Sequence, residues 1–495
     1  MGVRWDAIVV GTGFGGSVTA ARLAERGLRV LVLERGPWWG PGGRDRLASE
    51  RRDFPRGTWG ARRLVRSVRW ARRGRARELT LRSDGLWEMH RFDHLIVLTA
   101  SGIGGGSLVY TNMQVPPEPD YFAAYPPPIT AESMAPYYAR VHMMLRPAPV
   151  PSAGLPEKLR AFERAASAAS MGAVHRPELA IAFGDPTAPM SIVNAAGVEQ
   201  GTCDYRGECI LGCPRGAKTT LDLTYLAVAL RHGATVRALT EAMSIERAGA
   251  SWSVRCVDHR DGRTFEPVAD RLYLCAGTLQ SVRLLFEASR RLEMPPALGR
   301  RFSANGDHAS LLRGLPPAHG DAPGPSVTGF VRVPPVGKFR GVIAEMGIPP
   351  AAALPALIRR YLRGSTAILA MGRDGARGRL SCHDGHLHTD LGRDANPSSF
   401  DALEERASEL ADAYGARSER LNVPAGRGAR TLATVHPLGG AAMADDPRGG
   451  VVDHLGRVFG QPGLYVIDGS ILPDAPGVPP SMTIAALAER LVGSE

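Results

Sequence analysis

Three glycines and one acid open the chain with the arrangement a dinucleotide requires. In "WDAIVVGTGFGGSVTAARLAERGLRVLVLERG" the pattern predicts a strand over 7–10, a turn with Gly11, Gly13 and Gly16, a helix over 17–26 and a strand ending in Glu34. The first glycine permits a tight turn, the second lets backbone approach a pyrophosphate, and the third lets helix and strand pack closely. The helix start offers unpartnered N–H groups to phosphate, and Glu34, 18 residues beyond Gly16, is placed for ribose hydroxyls. A lone GxGxxG is equally a ligand-free glycine turn. The flanking strands, the helix and the acid together favour the ligand.

Two further stretches face the same way. "TASGIGGGSLVYTNMQV" (99–115) lacks a following amphipathic helix and a ribose acid, so it reads as a backbone-exposing loop along a large flat ligand. "GLYVIDGSILPDAPGVPP" (463–480) leaves a strand with Asp468 at its end and runs into "SMTIAALAERL". Prolines suit a helix entry there, Ser481 or Thr483 can cap, and the first-turn N–H groups attract negative charge. Three ligand-facing segments spread over the whole chain suit a long cofactor spanning domains. FAD fits that better than NAD.

Other candidates carry competing readings. His436 in "HPLGG" is a side chain able to take a proton near neutral pH, although a His-Pro loop taken alone is more often structural. Cys203, Cys209 and Cys213 crowd into eleven residues as C-x5-C-x3-C-P. Closely spaced thiolates before proline suit iron–sulfur ligation, a closed zinc site wants a fourth ligand, and plain reduced thiols need neither. Cys256, Cys275 and Cys382 are scattered and read as core packing.

The elements that must hold these residues belong to a globular chain of 495 residues, 44% hydrophobic and 22% charged, with length for two or more domains. The net charge of +11 is almost all arginine, since Lys158, Lys218 and Lys338 are the lysines. No zinc finger, RNP-like motif or heptad accompanies it, so nucleic acid is not an expected partner. The first strand begins by about Asp6, leaving no room for a secretory signal, and no 18-residue apolar span occurs, which implies a cytoplasmic protein. Residues 51–82 hold twelve arginines interleaved with Phe54, Trp59, Leu64, Val65, Val68 and Trp70. They read as a solvated basic helix or loop over the cofactor phosphates, or as a mobile lid making peripheral contact with anionic membrane.

Taken together, the motifs resemble the glucose–methanol–choline (GMC) oxidoreductase family, and within it the cholesterol-oxidase-like branch. The resemblance runs from the first glycine turn and "GIGGGSLVY" through "GAKTTLDLTYL", "LYLCAGTLQSVRLL", "ANGDHA" and "HPLGGAAM" to the last helix. It implies an α/β, doubly wound Rossmann-like FAD-binding domain (1–115, 200–310 and 431–495) with an inserted α+β substrate-binding domain of mixed sheet (116–199 and 311–430). FAD would be held non-covalently. Gly11, Gly13, Gly16 and Glu34 would hold its ADP half and the backbone of Ala242 its adenine. Gly106, Ser107 and Asn112 would line the flavin, and Asp468 would reach the ribityl or pyrophosphate. The last helix, starting at Ser481 and Met482, would aim at the pyrimidine edge, where reduction leaves negative charge.

The activity implied is oxidation of a hydroxyl on a bulky hydrophobic, sterol-like small molecule, with His436 taking the proton while hydride moves to flavin N5. Two departures bear on it. The family's second catalytic position is Pro479, which has neither a polar side chain nor an N–H, so Asn305 or a water is expected to assist His436. The position matching the isomerising glutamate of sterol oxidases is Leu354, while nearby Glu345 is retained, so coupled isomerisation is not expected. The cysteine spacing resembles three-iron-cluster ligands of sugar dehydrogenases in the same family. An iron–sulfur flavodehydrogenase passing electrons to a carrier, and a flavoprotein with altered or non-redox chemistry, therefore stay open. The electron acceptor is not fixed by the sequence.

Overall fold

The computed structural model describes residues 4–41, 50–72, 75–185, 188, 190–316, 324–336, 339–348, 360–362, 364–420 and 431–493. Strands Trp5–Val10 and Val30–Leu33 flank helix Phe14–Glu25 as the glycine turn predicts. Their apolar runs are buried on both faces, which is what a parallel strand covered by helices demands. The parallel order is Thr235–Arg237, Val30–Leu33, Trp5–Val10, Val268–Leu274, Leu464–Val466. Val10 is in register with both Leu33 and Leu274, and Leu274 with Val466. Gly11, Glu34, Cys275 and Asp468 therefore leave the sheet along one carboxyl edge, where ligands bind in open α/β sheets. Antiparallel strands Thr240–Ala248 and Ser251–Asp258 extend the sheet beyond its parallel part.

A second sheet is antiparallel throughout: Phe330–Val336, Phe339–Met346, Ser365–Gly372, His308–Arg313 and Arg417–Arg420. Because side chains alternate, one face presents Val331, Ile343, Ile368, Ala370 and Leu312 to a core shared with helices Glu157–Ala168 and Pro397–Ala413. The other face presents Phe330, Val342, Ala344, Leu369 and Met371, which pack with Met113, Val115 and Val478. The inserted domain thus lays an apolar wall against the loops that flank Asn112 and Pro479. Glu345 lies on the helix side of this sheet, where Lys158 Nζ sits 2.6 Å from both of its oxygens. Leu354 falls outside the described residues.

Two expectations change here. Helix Ala131–Leu145, within the stretch 116–199 assigned to the substrate side, instead packs Met134, Tyr138, Val141 and Leu145 into the core of the parallel sheet. The arginine-rich segment is mostly neither helix nor solvated loop: Val65–Arg72 and Arg75–Thr80 form a hairpin in a mixed sheet with Trp87–Arg91, Leu95–Ala100 and Leu432–Thr434. Its arginines are tolerated because distant carboxylates meet them. Buried Glu88 receives Arg35 at 2.6 Å and Arg66 and Arg69 at 3.0 Å, and Arg66 also reaches Glu241 at 3.2 Å. Among the described residues no helix is long and apolar enough to cross a membrane.

Candidate active site

The glycines divide into those the fold needs and those that leave space. At Gly11 (φ +99°) a Cβ would lie 2.3 Å from the Cys275 carbonyl oxygen, and at Gly16 one would lie 2.1 Å from that of Gly11. At Gly13 and Gly106 a Cβ would meet nothing within 4 Å. The two glycine turns abut, since a Cβ on Gly105 would come within 2.7 Å of Gly13 Cα and the Gly104 N–H donates to Thr12 Oγ1 at 3.1 Å. Glu34 closes this junction, accepting from the Thr12 N–H (3.1 Å) and hydroxyl (2.7 Å) and from the Gly36 N–H (3.0 Å). Burial raises its pKa, and these donors pull it back only in part. Thr240 N–H bonds the Glu34 carbonyl, which brings Ala242 to the same edge.

Several expected contacts are made inside the protein instead. The Asp468 carboxylate accepts from the Gly277 N–H, the Ser281 hydroxyl, and the N–H and hydroxyl of Ser470. The Ser107 hydroxyl donates to the Gly104 carbonyl (2.7 Å) and accepts from the Leu221 N–H (3.1 Å), so it shapes the loop. Lys218 was not anticipated. Its ammonium, buried beneath this loop, donates to the carbonyls of Leu108, Tyr110 and Cys209 at 2.8–3.0 Å, and burial pulls its pKa down to about 7.

What remains open is polar and unpartnered. Asn112, fully buried at φ +69°, has neither amide atom hydrogen-bonded, and the buried Ser481 hydroxyl also lacks a partner. The last helix, Ser481–Gly493, is entered through Pro480, whose carbonyl receives the Ile484 N–H. Neither Ser481 nor Thr483 caps it, since Thr483 Oγ1 accepts from the Tyr138 hydroxyl. Its first-turn N–H groups have no acceptor within the helix. An orphaned carboxamide, a free hydroxyl, open space at two glycines and a bare helix start fit the polar edge and phosphates of FAD.

His436 is held from behind. Both oxygens of buried Asp307 lie 3.0 Å from its Nδ1, and Asp307 also accepts from the Thr434 hydroxyl (2.7 Å) and the Val435 N–H (3.1 Å). No described residue is hydrogen-bonded to Nε2. Asn305, in the same turn at φ +54°, accepts from the Gly477 N–H and donates to the Val478 carbonyl, both at 3.1 Å. Each end of its amide makes a bond to the loop before Pro479, so it braces that loop. Buried Asp374 fixes the turn through the Ser303 hydroxyl and the Ala304 N–H.

The cysteines do not form a ligand set. Among the described residues no group of three or more His, Cys, Asp or Glu is placed to hold a metal ion. The Cys203 sulfur accepts from the Tyr205 N–H and that of Cys213 from the Ala217 N–H, each at 3.3 Å. Burial raises both thiol pKa values, which opposes the thiolates that iron requires.

Comparison with known proteins agrees with this geometry. Residues 190–304 and 384–488 match the GMC oxidoreductase family, and residues 9–72 match an NAD(P)-binding Rossmann-like domain. The chain is 30% identical to a cholesterol oxidase of Mycobacterium tuberculosis over 98% of its own length and 90% of the relative's. It is 26% identical to the paromamine 6'-oxidase of Streptomyces fradiae over the same shares. The crystal structure of pyridoxine 4-oxidase from Mesorbium loti superposes with a TM-score of 0.63 at 19% identity, covering 99% of each chain.

Proposed function

The chain belongs to the GMC oxidoreductase family, and from that premise we propose that it oxidises a hydroxyl on a bulky apolar substrate, sterol-like secondary alcohols first, with His436 as the base. At the coarser level it is an FAD-dependent oxidoreductase acting on alcohols. Bound FAD supplies the hydride acceptor. The protein's part is to hold Gly13, Gly106, Asn112 and the bare start of the last helix toward that cofactor, and to present the free Nε2 of His436 to a hydroxyl proton.

What supports the substrate class is the apolar sheet face of Phe330, Val342, Ala344, Leu369 and Met371, which packs behind the loops at Met113, Val115 and Val478 and brings no charge to them. A polycationic aminoglycoside would call for carboxylates there, and the carboxylate of these strands, Glu345, points the other way into Lys158. With Glu345 so committed, coupled isomerisation is not part of the proposal. The test is anaerobic flavin reduction by a matched panel of 3β-hydroxysteroids, aryl alcohols and aminoglycosides. Preferential bleaching by the steroids supports the reading. Bleaching by aminoglycosides alone would overturn the substrate class and keep the alcohol chemistry.

A further inference from the structure

A base needs a defined tautomer and somewhere to place the charge it acquires. In the family pattern a second polar side chain stands beside the histidine, and Pro479 offers none. The carboxylate that meets the ring here comes from the turn at 304–307, just before strand His308–Arg313. Asp307 is 3% exposed at its side chain and lies on the Nδ1 side, with both oxygens 3.0 Å away. A second clamp acts on the backbone: the Thr434 hydroxyl, itself bound to Asp307, receives the His436 N–H at 2.8 Å. An ionised carboxylate only accepts, so Nδ1 must carry the hydrogen, and the lone pair is left on Nε2.

We propose that Asp307 is the positioning residue of this active site, acting through His436. The inference rests on His436 being the base. Nε2 would receive the hydroxyl proton as the O–H bond breaks and the carbonyl product forms, and bound FAD would supply the hydride acceptor. The imidazolium then lies against the Asp307 carboxylate, which keeps its own charge. Asp307 touches neither substrate nor cofactor in this scheme. It sets the tautomer and stabilises the charge.

Two variants of the FAD-loaded enzyme test these roles. In Asp307→Ala the Nδ1–H tautomer loses its anchor, so the nitrogen-15 resonances of His436, assigned by their loss in His436→Gln, should shift toward a tautomer mixture. In Asp307→Asn the amide oxygen stays with the Thr434 hydroxyl and the Val435 N–H and the amide N–H₂ faces Nδ1, so those resonances should report the opposite tautomer, with the hydrogen on Nε2. Flavin reduction by an alcohol that bleaches the wild type should slow by ~100-fold to ~10,000-fold. A solvent deuterium isotope effect should also grow in Asp307→Asn, because proton removal becomes the slow step, and a merely structural defect would not produce that. If Asp307→Ala does not fold, the Asp307→Asn readouts still decide. An unchanged histidine spectrum in Asp307→Ala, or a wild-type reduction rate in Asp307→Asn, overturns the proposal. A tautomer change in Asp307→Ala together with undiminished flavin reduction in His436→Gln would instead overturn the base reading and leave the hold on the ring intact.

Discussion

Removing the Asn305 carboxamide should destabilise the protein without touching the chemistry directly. Asn305→Ala leaves the Gly477 N–H and the Val478 carbonyl buried without their partners. It also puts an alanine at φ +54°, where Asn is tolerated and most residues are strained. Taking about 1 kcal/mol for each orphaned backbone group and about 1 for the left-handed conformation gives a loss of about 3 kcal/mol. With an unfolding entropy of ~2 cal/mol/K per residue, a chain of this size loses only about 1 °C per kcal/mol, so the expected drop in Tm is about 3 °C. Differential scanning calorimetry of the FAD-loaded enzyme reads it. Asn305→Asp should be at least as damaging at neutral pH despite its near-identical shape, because a buried carboxylate would face the Val478 carbonyl. The gap to wild type should narrow as pH falls and the new carboxyl, once protonated, can donate. A variant that melts like the wild type but fails to reduce flavin would refute this bracing role and restore the catalytic one read from sequence.

Further tests concern the glycines and two buried ion clusters. Gly13→Ala adds a methyl that meets no protein atom, so it should fold and melt as the apoprotein does but bind FAD more weakly in a flavin fluorescence titration; Gly16→Ala, overlapping the Gly11 carbonyl, should fail to fold. Glu88→Gln should cost about 3–5 kcal/mol in denaturant unfolding, because Arg35 and Arg66 stay buried. Burial pushes the Glu88 pKa up, but Arg35, Arg69 and Arg66 outweigh it and hold it well below the usual carboxylate range. Its stabilisation is therefore fully present above about pH 4.5 and is lost as pH falls through the lowered value, an acid limb that Glu88→Gln should lack. Lys158→Met should likewise cost about 3–5 kcal/mol, and pairing it with Glu345→Leu should recover most of that loss while flavin reduction stays at the wild-type rate.

The parts of the site legible in the sequence were those whose residue type alone states a backbone requirement. Gly11 and Gly16 are forced by contacts with neighbours close in the chain or in an adjacent strand, and the strand–turn–helix around them is local. His436 stood out through its motif. Asp307 did not, because its role exists only once a residue 129 positions away is folded against it. Asn305 showed its type but not its positive φ, and it is that conformation which turns its amide onto the 477–478 loop. The arginine-rich segment misled for the same reason. Its alternation suits a strand, yet burying Arg66 is acceptable only with Glu88 and Glu241 in place, and neither is visible from the segment itself.

The most direct test of the central claim, alcohol oxidation on His436 despite Pro479, is anaerobic stopped-flow flavin reduction by wild type and His436→Gln with one apolar secondary alcohol. The account predicts that the wild-type flavin bleaches, and that His436→Gln carries the same oxidised FAD spectrum but bleaches ~100-fold to ~10,000-fold more slowly. Equal rates in the two proteins, or a wild-type flavin that no alcohol bleaches, would contradict it.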